Sequence, residues 1–499
     1  MTPRTGARLL GLSVVICLLR LPSLLTTRAI DDENIYGVVG VELAHGGLPY
    51  VSAIERKPPL LLYLYAAVQR CFGDYNFVAL HAVAAAWTLA TMAGLYLAGK
   101  VLFDRAAGMA GALLYGLYLP FNVYRNLAWN GEMLMNLPLA FALAIVFAPS
   151  AHRIRWQLVA AGGLVATAAL LKQPAAIALA PLLGYVLLPS YRRARGIGAA
   201  HALLHAVWLG LGFGLPLALG GLWLARLGIL NEALFWSIGH HDVPHGPLDP
   251  VFWERGGKGS VAFAAACAPL CVGSWLTLRR RPLRPETWAL LGLLVVSAVG
   301  TAASGRFYPH YYIQLLPPLV LLAGPWLAEL YVQRRQGRQR QFRIVATWLT
   351  GTALAFFVSH AVGYWQSRSE SSVARYIRAH AAGGDRMFVW GQAPELYVDC
   401  QLRPASRYVA TFPLTGYVFA SPMSHDPSID TSDRIVPGSW ERLAEDLSAQ
   451  PPAFIVDADG ARPTPRYPIR NYPLLRSLLD EHYALAFRGG EGVVYARAH

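Results

Sequence analysis

The sequence has few charged residues. Asp, Glu, Lys and Arg make up only 14% of its 499 residues, whereas hydrophobic residues make up 55%. A soluble globular chain usually carries about 25% charged residues, and the mean hydropathy here is +0.36. This composition excludes a soluble, a disordered and a fibrous protein. Apolar runs of roughly 20 residues, the length that a helix needs to cross a bilayer, recur along the chain and predict a polytopic membrane protein.

Lysine is scarce, with four Lys against 39 Arg, and the net charge of +14 is unevenly distributed. From Tyr364 to His499, 14 Arg and no Lys are opposed by 15 Asp and Glu, so this segment is slightly acidic. The basic excess therefore lies in the apolar remainder, in short loops between apolar runs. Because this is the positive-inside pattern of membrane proteins, we expect a bilayer and no nucleic acid as the partner of these charges.

Cysteine is also sparse, with five residues in the chain. Cys267 and Cys271 lie four apart in an apolar run, and we interpret them as small packing residues rather than metal ligands. Cys400 is the single Cys of the acidic C-terminal segment, so that segment is predicted to contain no internal disulfide.

The apolar runs predict eleven transmembrane spans. The loops on one side of this topology, together with the N-terminus, hold 18 Lys and Arg, whereas the short loops on the other side hold one each. This asymmetry predicts a cytoplasmic N-terminus, and the odd number of spans then predicts that the C-terminal segment lies on the outer side of the cytoplasmic membrane. The approximate spans are 7–27, 76–99, 106–121, 132–149, 156–171, 174–190, 200–225, 260–278, 287–304, 313–331 and 344–363.

Two domains are expected: a membrane domain at 1–365, with long outer loops at 28–75 and 226–259, and an outer α/β domain at 366–499. In the first outer loop, the apolar segment Pro58–Ala67 is too short to span and predicts an interfacial helix. In the C-terminal segment, the pattern predicts buried strands at Arg386–Trp390 and Ala453–Val456 and a helix at Trp440–Gln450.

Acidic residues at the outer ends of the spans are candidates for catalysis, because ionisable groups near a membrane usually mark function. Asp31, Asp32 and Glu33 follow the first span. Adjacent carboxylates raise each other's pKa, which suits a general base or a cation site; the alternative is a solvated loop. Glu132 opens the fourth span, where the helix dipole favours its charged form, and a helix-start carboxylate without function is the alternative.

Positive residues on the outer side are candidates for binding phosphate. Lys57 precedes two prolines, which hold its backbone extended, and Lys172 lies at a hinge between two spans. The segment Arg306–Tyr312 contains one Arg, one His and three Tyr. A point charge at the interface suits a lipid phosphate, while the alternatives are a snorkelling Lys and an interfacial aromatic belt.

Histidines in the second outer loop give a further candidate site. His240, His241, Asp242 and His245 bring four metal-ligating side chains within six residues. Their spacing matches no standard zinc pattern, so ordinary polar loop residues are the default interpretation and a divalent metal is the alternative.

Taken together, these residues resemble the bacterial protein-mannosyltransferase-like family of integral-membrane glycosyltransferases, whose relatives include the lipid A aminoarabinose transferases and the lipopolysaccharide galacturonosyltransferases. The resemblance covers residues of about 30 to 325. It rests on these motifs, in order: Asp32-Glu33-x-x-Tyr36, Gly47-Leu48-Pro49-Tyr50, Lys57-Pro58-Pro59-Leu60 with Tyr63, Glu132, Lys172-x-Pro174, and Arg306–Tyr312 followed by Gln314-Leu315-x-Pro317-Pro318-Leu319.

The resemblance implies a C-type glycosyltransferase fold and a sugar on polyprenyl phosphate as the donor. It implies direct displacement with inversion onto an envelope lipid, glycan or protein, and no required cofactor. Asp32 would be the general base, and Glu33 and Glu132 further acids of the site. The implied phosphate-binding residues are Lys57, Lys172, Arg306, Tyr308, His310 and Tyr311, and the implied substrate-binding residues are Tyr36, Glu55 and Tyr63.

One departure concerns Glu55. In the aminoarabinose transferases the acid directly precedes the Lys of the motif, whereas here Arg56 intervenes, so a metal-ligand role for Glu55 with a loop histidine is not assured by the resemblance. Two other functions stay open. A transporter or flippase of a lipid-linked sugar would place charges near the membrane midplane and repeat its two halves, and neither feature is present. A non-catalytic scaffold would leave the outer acids and lysines without a role.

Overall fold

The computed structural model describes residues 14–498 except 15, 122, 149–153, 241–242, 335, 338, 422–425, 427 and 462–464. The chain divides into two compact units. The helical unit comprises Met1–Leu25, His81–Arg226 and Gly246–Trp365, and the mixed unit comprises Thr26–Leu80, Leu227–His245 and Gln366–His499.

The helical unit is built from long apolar helices that pack through small residues. A Cβ atom on Gly162 would lie 2.1 Å from the Leu209 carbonyl oxygen, and one on Gly212 would lie 2.1 Å from that of Val159. Two helices can approach this closely only where side chains are absent. The helices are Leu21–Leu25, Phe77–Leu102, which begins in the mixed unit, Arg105–Tyr118, Gly131–Phe147, Ile154–Leu171, Leu179–Leu187, Pro189–Arg195, Ala199–Arg226, Pro250–Ala266, Ala268–Arg280, Pro285–Ala302, Leu316–Gln333 and Gln339–Gln366, with 3₁₀ turns at Tyr124–Leu127, Gln173–Ala178 and Pro309–Leu315.

The number and the apolar character of these helices are those of a multi-pass membrane protein. Within the described residues, six helices are long and apolar enough to cross a membrane, or up to eight if each of two bent helix pairs forms one span. Gly131–Phe147 is a shorter apolar helix. The number of eleven spans stays a prediction, and the first predicted span, 7–27, lies partly outside the described residues.

The predicted span at 260–278 contains a break in its helix. The helix Pro250–Ala266 ends, and Ala268–Arg280 begins after Cys267, with a bend of 81° between them. Pro269 lies in the first turn of the second helix. Proline has no backbone N–H and its ring clashes with the preceding turn, so a helix readily starts there but does not run through it. Hydropathy alone does not distinguish this arrangement from a straight span.

The C-terminal part of the mixed unit is an α/β domain, as the sequence predicts. Its five strands are β1 Arg386–Trp390, β2 Arg403–Pro404, β3 Phe454–Asp457, β4 Tyr483–Arg488 and β5 Val493–Arg497. The order is β2-β1-β3-β5-β4; β2, β1 and β3 are parallel, and β5 pairs antiparallel with β3 and β4. The helices are Ser372–His380, Glu395–Cys400, Phe412–Thr415, Ser439–Ala449 and Pro473–His482, with 3₁₀ turns at Ser432–Arg434 and Ile469–Asn471.

Two helices of the first outer loop belong to the same unit: Glu33–Ala44, and Pro59–Phe72, which confirms the short helix expected there. They are fixed to the α/β domain by a buried carboxylate. Glu42 accepts hydrogen bonds from Arg403 at 2.7 and 2.9 Å and from Arg386 at 3.2 Å. The Tyr75 hydroxyl also donates to the Leu402 carbonyl oxygen at 2.9 Å. Leu230–Leu234 and a π-helical turn at Phe235–Gly239 complete the unit.

Candidate functional site

The helix Glu33–Ala44 positions the first group of candidate residues. Asp31 precedes it with φ +55°, a left-handed conformation that Asp tolerates better than most residues. Glu33 lies in the first turn and is fully buried, and its Oε2 accepts the Ile30 N–H at 2.8 Å. An acid at this position satisfies an otherwise unpaired backbone N–H and is favoured by the helix dipole. Glu33 therefore fixes the start of the helix, beside Asp32.

Asp32 and Lys57 approach the same aromatic ring. The Tyr36 hydroxyl donates to Asp32 Oδ2 at 3.1 Å, and Lys57 Nζ lies 5.6 Å from the centroid of the Tyr36 ring. Asp32 and Lys57 are both partly exposed, whereas Tyr36 is buried. Asp32, Tyr36, Lys57 and Glu55 form what we call the Asp32 cluster.

Glu55 reaches Lys57 although Arg56 separates them in sequence. The distance from Lys57 Nζ to Glu55 Oε1 is 3.6 Å, and the Glu55 side chain is only 6% exposed. The Tyr50 hydroxyl donates to the Lys57 carbonyl oxygen at 2.7 Å, and the Tyr50 backbone has φ +67°. Burial, then the Glu55 charge and then Tyr63, raises the pKa of Tyr50, which stays protonated and holds the Lys57 backbone.

Tyr65 closes this cluster on the buried side. Its ring lies 5.4 Å from that of Tyr36 in an edge-to-face arrangement. Burial, reinforced by the charges of Glu33 and Asp32, raises the pKa of Tyr65 well above its ordinary value. This ring pair holds in place the Tyr36 side chain that Asp32 and Lys57 both contact.

The helical unit holds a second group around Lys172. Lys172 follows the helix Ile154–Leu171, and its Nζ lies 2.8 Å from Oε1 of Glu132, in the first turn of Gly131–Phe147. The Glu132 side chain is 2% exposed and that of Lys172 is 11% exposed. A Cβ on Gly131 would lie 2.8 Å from Lys172 Cδ, so the glycine makes room for the lysine stem. A buried ion pair of this kind is costly to desolvate, which makes it a candidate functional site in a membrane protein.

Aromatic side chains surround this ion pair. Lys172 Nζ lies 5.2 Å from the centroid of the Tyr311 ring, which meets the His310 ring edge-to-face at 4.7 Å. Tyr308 contacts both rings, at 5.5 and 5.8 Å. Glu132, Lys172, Tyr308, His310 and Tyr311 form what we call the Lys172 cluster.

Two amide side chains fix the 3₁₀ turn that carries these rings. Asn136 Nδ2 donates to the Ile313 carbonyl oxygen at 3.1 Å, and Gln314 Nε2 donates to that of Tyr311 at 2.9 Å. Arg306 precedes the turn, and its backbone N–H donates to the Ser304 hydroxyl at 3.3 Å. Phe307 has φ +51°, an uncommon conformation for a bulky residue. The role of Arg306 in binding phosphate stays a prediction.

The histidines of the second outer loop take separate positions. His240 stacks on Phe235 and Phe412, at 5.6 and 6.1 Å, and His245 is buried. His241 lies outside the described residues. Within the part of the chain that the structure describes, no group of three or more His, Cys, Asp and Glu side chains is arranged to hold a metal ion. A metal at His240, His241 or His245 stays a prediction.

Sequence reasoning missed the residues that position the candidate side chains. Tyr65 contacts Tyr36 and Asn136 holds the turn at Ile313, and nothing in their local sequence indicates these roles. Gln314, which holds the Tyr311 backbone, belongs to a motif of the resemblance. Tyr50 belongs to a motif of the resemblance, and its position only seven residues before Lys57 could have indicated that it contacts Lys57.

The comparison with known families gives one match. Residues 56–218 match the family model of dolichyl-phosphate-mannose-protein mannosyltransferase. This segment includes Lys57, Glu132 and Lys172. No curated protein sequence matches the chain significantly.

Solved structures resemble the whole chain. The crystal structure of ArnT from Cupriavidus metallidurans bound to undecaprenyl phosphate matches with a TM-score of 0.65 and 17% identity, over 99% of this chain and 98% of that chain. The apo state of the same protein gives a TM-score of 0.66 and 16% identity, over 100% and 99%. The oligosaccharyltransferase AglB from Archaeoglobus fulgidus, in complex with an inhibitory peptide and a dolichol-phosphate, gives 0.51 and 11%, over 100% and 75%.

The likeness to these solved structures shows that the chain has the C-type glycosyltransferase fold that they share. The expected fold class is thereby confirmed: a polytopic helical membrane protein with a small C-terminal α/β domain.

Proposed function

We propose that the protein is an integral-membrane glycosyltransferase. It takes a sugar from a polyprenyl-phosphate donor and transfers it, with inversion at the anomeric carbon, to an envelope lipid, glycan or protein. The proposed reaction takes place at the outer face of the cytoplasmic membrane, and it needs no cofactor.

The observation that carries this proposal is the pairing of Asp32 and Lys57 around Tyr36. Transfer from a lipid phosphate needs a base for the acceptor hydroxyl and a positive group for the departing phosphate. The Tyr36 hydroxyl holds the carboxylate at 3.1 Å, and Lys57 Nζ lies 5.6 Å from the same ring. One short segment of chain thus provides both groups in a fixed arrangement.

In the proposed reaction, Asp32 accepts the proton of the acceptor hydroxyl as its oxygen attacks the anomeric carbon. The bond between that carbon and the phosphate oxygen breaks, and its electron pair leaves with the polyprenyl phosphate. The Lys57 ammonium group stabilises the negative charge that develops on the leaving phosphate. Asp32 suits the role of base better than Glu33, because Glu33 is fully buried and already accepts the Ile30 N–H.

For the Lys172 cluster, we propose the roles that the family resemblance implies. The Lys172 ammonium group binds an anionic oxygen of the donor, and Glu132 holds Lys172 through the contact of 2.8 Å. Tyr308, His310 and Tyr311 provide a wall of rings that limits the access of water. Exclusion of water strengthens the attraction between an ammonium group and a phosphate.

The solved structures support the choice of donor. ArnT is described bound to undecaprenyl phosphate, and AglB in complex with a dolichol-phosphate and an inhibitory peptide. Both lipids are polyprenyl-type phosphates, which is the class that we propose for this chain.

The contacts of the mixed unit support the proposed side of the membrane. The first outer loop and the C-terminal domain share one compact unit, joined by Glu42 and its two arginines. Segments that contact each other in this way lie on the same side of a bilayer. We propose the outer side, because the loops of the opposite side carry the positive residues.

The test compares wild type with Asp32→Asn in detergent and measures release of polyprenyl phosphate from a panel of polyprenyl-phosphate sugars, with envelope extract as the acceptor. We expect wild type to consume one donor and Asp32→Asn to be slower by about 100-fold or more, the usual scale for losing a general base.

Asp74→Asn is the matched control, because it makes the same chemical change in the same unit. Asp74 is 39% exposed and pairs only across the surface with His45, at 2.8 Å. This variant should keep the wild-type rate. Equal rates for Asp32→Asn and wild type would contradict the role of Asp32. Tight binding of a donor without its consumption would contradict the transferase and favour a flippase.

A further inference from the structure

The α/β domain contains a cavity of about 430 Å³ at the carboxyl ends of β1 and β3. These two strands are parallel neighbours. The chain that leaves β1 next enters β2 on one side of the sheet, whereas the chain that leaves β3 continues to β4 and β5 on the other side. A crevice between two such departing connections is the usual ligand-binding position of an open α/β sheet. Its volume lies within the range of small-molecule pockets, roughly 300–1,000 Å³.

The two loops that form this crevice are held tightly together. Gly391 follows β1 with φ +131°, a conformation that glycine alone adopts readily, and a Cβ there would lie 3.2 Å from that of Ala458. The Ala458 N–H donates to the Trp390 carbonyl oxygen at 2.9 Å. This close approach leaves the side chains that follow, Gln392 and Asp459, on the wall of the cavity.

Polar groups of the wall are arranged to exchange hydrogen bonds with a ligand. Asp459 is 5% exposed, and its Oδ2 accepts the Tyr467 N–H at 2.6 Å. Gln392 Nε2 donates to the Thr411 hydroxyl at 3.3 Å. Gln392 Oε1 is buried and accepts no hydrogen bond from any residue that the structure describes. An unsatisfied buried acceptor costs about 1–3 kcal/mol, a cost that a ligand hydroxyl would remove.

Aromatic rings provide the apolar part of the wall. The rings of Tyr417 and Tyr467 lie 6.4 Å apart at an angle of 83°, and both side chains are half-buried. The Tyr467 hydroxyl contacts the Thr431 hydroxyl at 3.0 Å, and Trp390 Nε1 donates to the Tyr467 carbonyl oxygen at 2.7 Å. Fixed rings beside carboxylate and amide groups match a saccharide, which has C–H faces for the rings and hydroxyls for the polar groups.

The charge of the cavity selects against acidic ligands. Among the described residues, its lining contains the carboxylates of Glu395, Asp459 and Glu491 and one guanidinium group, that of Arg466. Arg466 donates to the carbonyl oxygens of Asp426 and Ile429, so part of its hydrogen-bonding capacity is used within the wall. A uronic acid or a phosphate would meet a net negative surface, whereas a neutral or amine-bearing sugar would not.

We propose that this cavity binds a saccharide unit that carries no acidic group. If the proposed transferase function holds, this saccharide is part of the acceptor. The acceptor of the transferase is then a glycan or a glycolipid.

The experiment measures binding by saturation-transfer NMR, with the full-length protein in detergent and no donor present. The probes are methyl α-mannoside, methyl β-glucoside, glucosamine and glucuronate. We expect at least one of the first three to bind, and glucuronate to bind more weakly by about tenfold or more, a difference of about 1.4 kcal/mol. Gln392→Leu and Tyr417→Ala should each weaken the binding of the same sugar by about tenfold or more.

Gln450→Leu is the matched control, since Gln450 is exposed at the end of Ser439–Ala449, away from the cavity lining; it should bind the sugar like wild type. Binding that survives in both cavity variants, glucuronate as the tightest probe, or no binding of any probe would each overturn the proposal. Because no donor is present, these results are independent of transfer. Donor consumption without sugar binding rejects the cavity alone, and sugar binding without donor consumption rejects the transferase alone.

Discussion

Replacing Glu42 with Gln should loosen the first outer loop from the α/β domain. The Glu42 side chain is 6% exposed and accepts hydrogen bonds from Arg403 at 2.7 and 2.9 Å and from Arg386 at 3.2 Å. Removing one partner of a buried ion pair costs about 3–5 kcal/mol. Here the arginines are 28% and 21% exposed, so water can solvate them in the variant, and we expect the lower end, about 3 kcal/mol.

Hydrogen exchange measures this local opening. A loss of about 3 kcal/mol corresponds to exchange that is faster by roughly 100-fold. We expect this increase in the helix Glu33–Ala44 and in β2, with little change in β4. Since Asp32 directly precedes this helix, the rate of sugar transfer should fall as well, without a change in the pH dependence of the remaining activity.

Glu370→Gln is the control, because Glu370 also contacts two arginines, Arg375 and Arg378, but is 44% exposed. Surface pairs contribute about 0–1 kcal/mol, so this variant should exchange like wild type. A double-mutant cycle of Glu42→Gln with Arg403→Met isolates the pair itself. Exchange within about twofold of wild type, or additive effects in the cycle, would refute the reasoning.

Two further predictions concern buried charges. Burial, with Asp459 nearby, raises the pKa of Asp457 to about 6 from an ordinary 3.8, although the Gly460 N–H opposes the shift. The folded state therefore binds the proton more readily than the unfolded state. The stability that this proton contributes is present below about pH 4, and about 3 kcal/mol of it is lost as the pH rises through about 6. Asp457→Asn should therefore slow hydrogen exchange in β3 at pH 7 and leave it nearly unchanged at pH 4, and the same effect of the substitution at both pH values would contradict this prediction. Lys172→Met leaves Glu132 buried without its partner and should lower the Tm in detergent, at a cost of about 3–5 kcal/mol. Adding Glu132→Gln should restore much of the Tm but not sugar transfer, and a double variant that is active would exclude the proposed phosphate-binding role.

Much of the fold was predictable because its signals are local. Hydropathy marks an apolar helix, and the apolar strands Arg386–Trp390 and Phe454–Asp457 stand out within an acidic segment. The break at Cys267 was not predictable from hydropathy, because both sides of the bend are apolar and only Pro269 indicates where a helix starts. The order of the strands depends on which connections cross the sheet, and such connections leave no local pattern.

The candidate site divides in the same way. The sequence brought attention to Asp32, Lys57 and Lys172 because charged residues are rare in this chain and cluster at the ends of apolar runs. The residues that hold them in place were harder to predict. Tyr65 and Tyr36 lie on two different helices, and Asn136 and Ile313 are 177 residues apart in the sequence. An aromatic or amide side chain has many ordinary roles, so its type does not indicate its partner.

The sequence by itself indicated a polytopic membrane protein, predicted its topology and singled out the candidate acids and lysines, because composition, periodicity and charge are properties of neighbouring residues. The tertiary structure alone decided that the Tyr36 hydroxyl holds Asp32 while Lys57 lies over the Tyr36 ring, that Glu42 fixes the first outer loop to the α/β domain, and that a cavity opens between β1 and β3. These contacts are set by the packing of whole elements rather than by any local preference.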